Sequence, residues 1–235
     1  MNIIIATIHS WNIKNAHKFI REHKEYNIKL VTKKDELTTE LLSDFNPEWI
    51  LLTHWSWILP KEIYNNYKCV VFHVSDVPKA RGGSPVQNQI VDGLRETKIS
   101  AIHVDAGLDT GDVYCKERLS LEGSAEEIFI RSSKIVFEKM IPYIIENDPQ
   151  PVKQEEGGFV YKRRKPEESR IPVSGDLCKV FDYIRMLDAE GYPKAYIEWG
   201  NYRMEFSRAK LEVDDVVADV KISLTKENCD NDMHQ

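Results

Sequence analysis

The chain has 235 residues and a formal net charge of −6, with acidic and basic residues mixed along it. This length fits one sizeable domain with a small appendage and is enough to bury a real core. The charge balance provides no global basic field to attract nucleic acid, and no apolar run reaches the length of a membrane span. Four cysteines without a Cys-x-x-Cys pair favour reduced thiols in a cytoplasmic protein over a zinc site.

The hydrophobic pattern predicts alternating strands and helices over the first 150 residues. The β-branched run from Asn2 to Ile8 lacks the basic start and cleavage site of a signal peptide, so it is predicted to be the first strand. Further strands are predicted at 28–31, 49–53, 69–72, 99–104 and 113–121, and helices at 15–21, 35–45, 86–94 and 124–147. This rhythm is typical of an α/β fold with a Rossmann-like, mostly parallel sheet and helices on both faces.

The remaining chain is predicted to form a small α+β C-terminal unit. After a helix at 176–187, two strands flank Gly200-Asn201, a favourable two-residue hairpin turn. We therefore divide the chain into a main domain (1–150), a linker (151–175), a helix-plus-hairpin unit (176–224) and a polar, disordered tail (225–235).

The stretch from Cys69 to Asp112 carries the most informative polar groups. It reads as strand, loop, helix, strand and loop, and the two strands of such a unit are expected to run parallel, with both loops at one sheet edge where ligands bind. His73 and Asp109, 36 positions apart, are therefore expected to meet there. A carboxylate beside an imidazole fixes its tautomer, as acid–base catalysis requires. The alternatives are a structural hydrogen-bonding histidine and a turn aspartate.

Three motifs in this stretch carry a resemblance to a known family. They are Val71-Phe72-His73-Val74-Ser75-Asp76-Val77-Pro78, Lys79-Ala80-Arg81-Gly82-Gly83-Ser84-Pro85, and the run from Asp105 to Asp112. In order and spacing they resemble the folate-dependent formyltransferases, whose members act on methionyl-tRNA, sugar nucleotides or glycinamide ribonucleotide. Residues 184–188 and 191–195 are similar to the start of that family's C-terminal domain. Val71 departs from the pattern, because the family has asparagine there.

The resemblance implies N10-formyltetrahydrofolate as co-substrate, no metal, and formyl transfer to an amine. It implies catalytic roles for His73, Asp109 and Ser75. The expected folate-binding residues are Trp57, Ile58 and Leu59 on one wall and Asp105, Ala106, Gly107 and Leu108 on the other, although tryptophans in this segment can also be core residues. The expected acceptor-binding residues are Lys79, Arg81, Gly82 and Trp11, with a plain helix-entry loop as the alternative for the glycine-rich part.

Valine cannot donate a hydrogen bond to the oxyanion that develops during transfer. Losing one such donor typically costs about a hundred- to a thousandfold in rate. Ser75, Asn88, a backbone amide and a protonated His73 are the candidate replacements, and the sequence leaves the choice open.

The function favoured by the resemblance is formylation of a nucleotide-linked amino sugar, of the 4-amino-4,6-dideoxyhexose type, for surface polysaccharide (O-antigen) synthesis. One alternative is a methionyl-tRNA formyltransferase. The acidic balance and the short C-terminal unit argue against it, because tRNA affinity depends on many phosphate contacts. The other alternative is a non-catalytic relative that binds folate or nucleotide, and the valine at position 71 is the reason to consider it. We expect no nucleic-acid or membrane partner, and a homodimer remains open.

Overall fold

The structure is a computed structural model that describes residues 1–225. The predicted disordered tail lies outside the described residues except for Thr225, whose backbone N–H donates to the carbonyl of Asn201 at 2.9 Å. The chain forms two compact units. The first comprises Met1–Pro85, Glu96–Ser120 and Phe129–Lys162, and the second comprises Val86–Arg95, Leu121–Ile128 and, among the described residues, 163–225.

The strands and helices follow the predicted alternation, with shifted ends. The strands are β1 (Asn2–Ala6), β2 (Asn27–Val31), β3 (Trp49–Thr53), β4 (Cys69–His73), β5 (Ala80–Gly82), β6 (Glu96–His103), β7 (Val113–Ser120), β8 (Phe159–Tyr161), β9 (Ala195–Trp199), β10 (Tyr202–Leu211) and β11 (Val216–Leu224). The helices are α1 (Ser10–Glu22), α2 (Thr39–Phe45), α3 (Lys61–Tyr64), α4 (Pro85–Val91), α5 (Ala125–Ile135), α6 (Ile141–Asn147) and α7 (Leu177–Arg185). A π-helical turn, Val136–Met140, joins α5 to α6, and short 3-10 turns occupy Lys34–Glu36 and Pro166–Ser169.

The first unit is built on a six-stranded sheet with the order β2-β1-β3-β4-β6-β7. The first four strands are mutually parallel, as the sequence predicts. All five residues of β3 are buried, which is the pattern of a central strand covered on both sides. Buried side chains from β1, β3, α2 and α3 form one hydrophobic cluster, and each fully buried Leu or Ile contributes about 1.5–3 kcal/mol relative to exposure.

The prediction that the strands at 69–73 and 99–104 run parallel is wrong. β4 and β6 are antiparallel, with Val70 opposite His103 and His73 opposite Ser100, and β7 is antiparallel to β6. The connection from β4 to β6 is long enough for either direction. The apolar run of β6 buries its residues in both arrangements, so the hydrophobic pattern does not determine the direction.

The first part of the predicted linker is built into the first unit. β8 pairs in parallel with β5, and Val152 bridges Val113. Gly82 and Gly158 both have a φ of +95°, and a Cβ on either would collide with a backbone carbonyl, of Tyr161 and Pro78 respectively. Only glycine allows this close backbone approach. The segment therefore lies directly against the loop that follows β4.

The second unit contains the predicted α+β arrangement. β9, β10 and β11 form an antiparallel sheet, and the turn at Gly200-Asn201 joins the first two strands. The side chain of Asp176 caps α7 by accepting a hydrogen bond from the N–H of Lys179 at 2.9 Å. Arg185 is 2% exposed and donates to Asp182 Oδ1 at 2.6 Å and to backbone carbonyls at 121 and 123. This buried pair serves the packing of the unit.

Candidate active site

His73 and Asp109 lie together in the first unit. His73 is the last residue of β4 and 8% exposed, and its Nδ1 is 3.5 Å from Asp109 Oδ2. The same carboxylate oxygen accepts a hydrogen bond from the backbone N–H of Gly82 at 3.0 Å. Asp109 has a φ of +56°, a left-handed conformation that aspartate tolerates better than most residues.

The pair forms by a different route from the expected one. Because β6 is antiparallel to β4, its last residue, His103, lies opposite Val70 rather than beside His73. The loop between β6 and β7 is held at both ends by backbone hydrogen bonds. At its start the N–H of Val104 donates to the carbonyl of Cys69, and at its end the carbonyl of Asp112 accepts from the N–H of His103. Between these points lie seven residues, 105–111, which are enough for the loop to reach back along the three-residue length of strand from Val70 to His73. The loop therefore folds back along β4 to deliver Asp109.

The surroundings of His73 disfavour its protonated form. Burial lowers its pKa, and the nearby Asp109 carboxylate only partly opposes that effect. Its Nε2 atom is buried and has no hydrogen-bond partner among residues 1–225. A carboxylate at Nδ1 favours the proton on that nitrogen and leaves the lone pair of Nε2 available. Burial therefore disfavours a protonated His73 as the oxyanion donor in the resting protein.

The hydroxyl of Ser75, another candidate for that donor, is already engaged within its own loop. Ser75 is fully buried; its hydroxyl donates to the carbonyl of Ala80, and its own carbonyl accepts from Ser100 Oγ at 2.7 Å. Asn88 belongs to the second unit, where its Oδ1 accepts from Arg164 at 3.4 Å. Ser75 thus holds the loop after β4 in shape.

A lysine cluster surrounds Asp76 in the same loop. Lys116, Lys98 and Lys79 place their Nζ atoms 2.7, 3.2 and 3.3 Å from its carboxylate. Partial burial alone would raise the pKa of Asp76, but the three lysines outweigh this effect and lower it. Lys79, an expected acceptor-binding residue, has a side chain that is 81% exposed.

The two expected folate walls differ in their exposure. Ile58 is 89% exposed and Leu108 is 58% exposed, whereas Leu59 is buried in the hydrophobic cluster of the sheet. Trp55 packs against that cluster, and the centroid of its ring lies 4.7 Å from that of Trp57. Val104, next to the other wall, packs against the same cluster. An exposed apolar side chain on each wall suits a flat heteroaromatic ligand.

The second wall is a preformed turn. Asp105 Oδ1 accepts from the N–H of Gly107 and from Thr110 Oγ1, both at 2.9 Å, and Ala106 is exposed at its tip. A Cβ on Gly107 would collide with the side chain of Thr110, so glycine is needed here.

The expected acceptor-binding residues occupy different environments. Trp11 is 6% exposed and stacked between His9 and Phe129, with ring centroids 4.6 and 5.5 Å away. Its position is that of a packed core residue with a buried indole N–H. The Arg81 guanidinium donates to Gln154 Oε1 at 2.9 and 3.0 Å, so its orientation is fixed.

Gln154 is the residue near this site that sequence reasoning missed. Its Nε2 donates to the carbonyls of Asp109 and Gly111 at 2.9 and 2.7 Å. It lies in a polar segment interpreted as a linker, and no spacing or motif there signals a contact with the aspartate loop.

Within the described part of the chain, no group of three His, Cys, Asp or Glu side chains is placed to hold a metal ion. Over the same residues, no helix is both long and apolar enough to cross a membrane.

Comparison with known proteins identifies the family. Residues 11–128 match the model of the family described as formyl transferase, and residues 166–223 match the methionyl-tRNA formyltransferase C-terminal domain. This chain belongs to the formyl transferase family. The solved methionyl-tRNA formyltransferase from Clostridium thermocellum is 57% identical, with a TM-score of 0.94 over 96% of this chain and 100% of that one.

Two further relatives are less similar. The methionyl-tRNA formyltransferase of Wolbachia sp. subsp. Drosophila simulans is 31% identical over 80% of this chain, which spans only 64% of that protein's length. The sugar N-formyltransferase from Shewanella sp. FDAARGOS_354 has a TM-score of 0.67 at 14% identity, covering 96% of this chain and 99% of that one. The latter similarity shows a shared fold.

Proposed function

We propose that this protein transfers a formyl group from N10-formyltetrahydrofolate to a primary amine, with methionyl-tRNA as the favoured acceptor. The observation that carries the chemistry is the buried His73, with a carboxylate at Nδ1 and an unpaired Nε2. The choice of acceptor follows the methionyl-tRNA formyltransferase that is 57% identical over nearly the whole chain.

The nucleotide-linked amino sugar expected from the sequence becomes the second candidate. It retains support from the net charge of −6, because tRNA affinity depends on many phosphate contacts. The sugar N-formyltransferases share only the fold with this chain at about 14–17% identity, so they carry less weight.

In this proposal the co-substrate lies between Ile58 and Leu108, with Trp57 beside it and the Asp105–Leu108 turn supplying backbone groups. Both exposed apolar side chains would then be covered. The co-substrate presents its formyl carbon toward His73. The amine attacks this carbon and forms a new C–N bond as the bond to the folate nitrogen breaks.

His73 carries the proton in this reaction. Its Nε2 accepts a proton from the attacking amine and delivers it to the departing folate nitrogen, so the histidine is neutral before and after each turnover. Asp109 keeps the other ring proton on Nδ1 and stabilises the imidazolium that forms between the two transfers. A pKa lowered by burial makes His73 a weak base in the resting protein, and the neutral form is present at pH 7.

The oxyanion in this proposal is stabilised by backbone N–H groups. Val71 has no side-chain donor, and the hydroxyl of Ser75 donates to Ala80. Nε2 of the neutral His73 is an acceptor, and the Nε2–H of the imidazolium is the proton that goes to the folate nitrogen. Of the replacements considered within the first unit, the backbone amide is left. Preorganised backbone donors serve this purpose in many acyl-transfer sites.

The test is an acceptor panel incubated with N10-formyltetrahydrofolate and read by mass spectrometry for the gain of one formyl group. The panel contains initiator methionyl-tRNA and amino sugars linked to dTDP, GDP and UDP, with His73→Gln as the matched inactive control. We expect methionyl-tRNA to gain the formyl group. Formylation of an amino sugar and not of methionyl-tRNA would show that the nucleotide-linked sugar is the acceptor. Binding of tetrahydrofolate without transfer to any acceptor would establish the non-catalytic function instead.

A further inference from the structure

One amide side chain connects the aspartate loop to the strand that follows the histidine loop. Gln154 Nε2 donates to the carbonyl oxygens of Asp109 and Gly111 at 2.9 and 2.7 Å. Its Oε1 accepts from Arg81 Nε and from a second guanidinium nitrogen at 3.0 and 2.9 Å. The amide therefore uses both its donor hydrogens and both its acceptor lone pairs.

The orientation of this amide follows from its partners. Two carbonyls face one end and a guanidinium faces the other, so only the nitrogen can lie toward the carbonyls. Gln154 is partly buried, while the residues on each side of it, Val152, Lys153 and Glu155, are exposed. A single inward-facing side chain in an otherwise exposed segment indicates a specific contact.

The contact falls on a residue with a left-handed backbone conformation. Asp109 has a φ of +56°, which costs free energy in a residue with a Cβ and persists only when its surroundings hold it. The carbonyl of Asp109 is held by Gln154, and its carboxylate is held by the Gly82 N–H. Gly82 belongs to the same short strand, β5, as Arg81, which Gln154 also holds.

We propose that Gln154 is a positioning residue that sets the place of the Asp109 carboxylate at Nδ1 of His73. This inference rests on the proposed function. Gln154 fixes the Asp109 loop and the β5 strand to each other, so that the carboxylate meets the imidazole and the proton stays on Nδ1. Without it, the loop is free to relax from its left-handed conformation and withdraw the carboxylate, and a displacement of about 1 Å costs about a hundredfold in rate.

Two variants separate the two halves of this contact. Gln154→Glu keeps an acceptor for Arg81 but replaces the two donors to the loop by an oxygen that repels the carbonyls of Asp109 and Gly111. Gln154→Ala removes both halves. Gln150→Ala is the matched control, because it makes the same change at an exposed glutamine four positions earlier.

The decisive readout is the tautomer of His73, measured at fixed neutral pH from the nitrogen chemical shifts of its ring, with His73→Gln used to assign the signals. The parent and Gln150→Ala are expected to carry the proton on Nδ1. Gln154→Glu and Gln154→Ala are expected to show a growing population with the proton on Nε2, together with a kcat lowered by about ten- to a hundredfold. The melting temperature is expected to stay close to that of the control.

Three results would overturn the inference. The first is that Gln154→Glu keeps both the parent tautomer of His73 and the parent rate. The second is that it loses rate while the tautomer stays unchanged. The third is that it loses rate only in proportion to a large fall in melting temperature. The last two would make Gln154 a stabilising contact and nothing more. If the parent transfers no formyl group to any acceptor, the proposed function fails, while the tautomer comparison still decides whether Gln154 positions Asp109.

Discussion

Oδ2 of Asp109 lies 3.5 Å from Nδ1 of His73 and at the same time accepts the backbone N–H of Gly82 at 3.0 Å. One carboxylate oxygen thus joins the end of β4 to the strand β5 that follows it. The loop that carries Asp109 arrives from an antiparallel strand and must fold back to reach the histidine. The proposed chemistry therefore depends on the position of this oxygen.

The first prediction concerns the missing oxyanion donor. Val71→Asn is expected to raise the turnover number by tenfold or more, because a side-chain amide adds a donor where the family has one. Val71 packs against the hydrophobic cluster of the sheet, so the variant is also expected to lose about 1–3 kcal/mol of stability. Val71→Ala, which changes size without adding a donor, is the control for single-turnover measurements. Unchanged or lower turnover in a folded Val71→Asn variant would show that an amide at position 71 adds nothing to the stabilisation that the backbone N–H groups provide.

The second prediction concerns the folate walls. Ile58→Ser and Leu108→Ser are each expected to weaken binding of a stable tetrahydrofolate analogue by roughly ten- to a hundredfold, because covering a large aliphatic side chain contributes about 1.5–3 kcal/mol. Both side chains are exposed, so melting temperatures are expected to change little. Quenching of tryptophan fluorescence measures the affinity. Val173→Ser, at a fully exposed valine of the second unit, provides the control. Equal affinities in all variants would place the ligand elsewhere.

The third prediction concerns stability in acid. Burial, and secondarily the neighbouring His9, lowers the pKa of His54 from 6.5 to about 3. Between these values the unfolded state binds a proton that the folded state excludes, so the free energy of unfolding falls as the pH falls. Within this window His54 lowers the free energy of unfolding by about 1.4 kcal/mol for each pH unit of acidification. The stability that depends on a neutral His54 is fully present above pH 6.5 and is lost progressively as the pH falls toward 3.

The measurement for this prediction is urea unfolding across that pH window. His54→Asn is expected to show a shallower loss of stability than the parent, because asparagine does not titrate and tolerates the φ of +55° at this position. His17→Asn, at an exposed position, should keep the parent slope. Identical slopes for His54→Asn and the parent would mean that His54 is protonated normally in the folded state.

Much of the first unit could be predicted from its sequence because its strands are short, β-branched and bounded by turn residues. The four parallel strands follow this pattern closely, and β3 is buried over its whole length. The direction of β6 could not be predicted, because an apolar run packs equally well in either direction. His73 and Asp109 were expected to meet through two parallel strands, and they meet through a loop that returns along β4.

Residues that act through single hydrogen bonds were the least predictable. Nothing in a polar segment distinguishes Gln154 from its exposed neighbours until the fold brings the Asp109 carbonyl to it. Ser75 fits a catalytic motif, yet its hydroxyl is used to shape the loop. Leu59 fits a ligand-binding wall but is a core residue. Motif spacing indicates which residues lie near a site and leaves their partners undetermined.

The most direct test of the central claim is single-turnover formyl transfer by the parent, His73→Gln and Asp109→Asn on the acceptor that the panel identifies. His17→Gln and Asp44→Asn, at exposed positions, are the matched controls. If Nε2 of a neutral His73 carries the proton and Asp109 fixes its tautomer, both site variants lose about a hundred- to ten-thousandfold in rate while folding normally. The controls should retain the parent rate. Near-parental transfer by either folded site variant would contradict the assignment of that residue and the mechanism built on the pair.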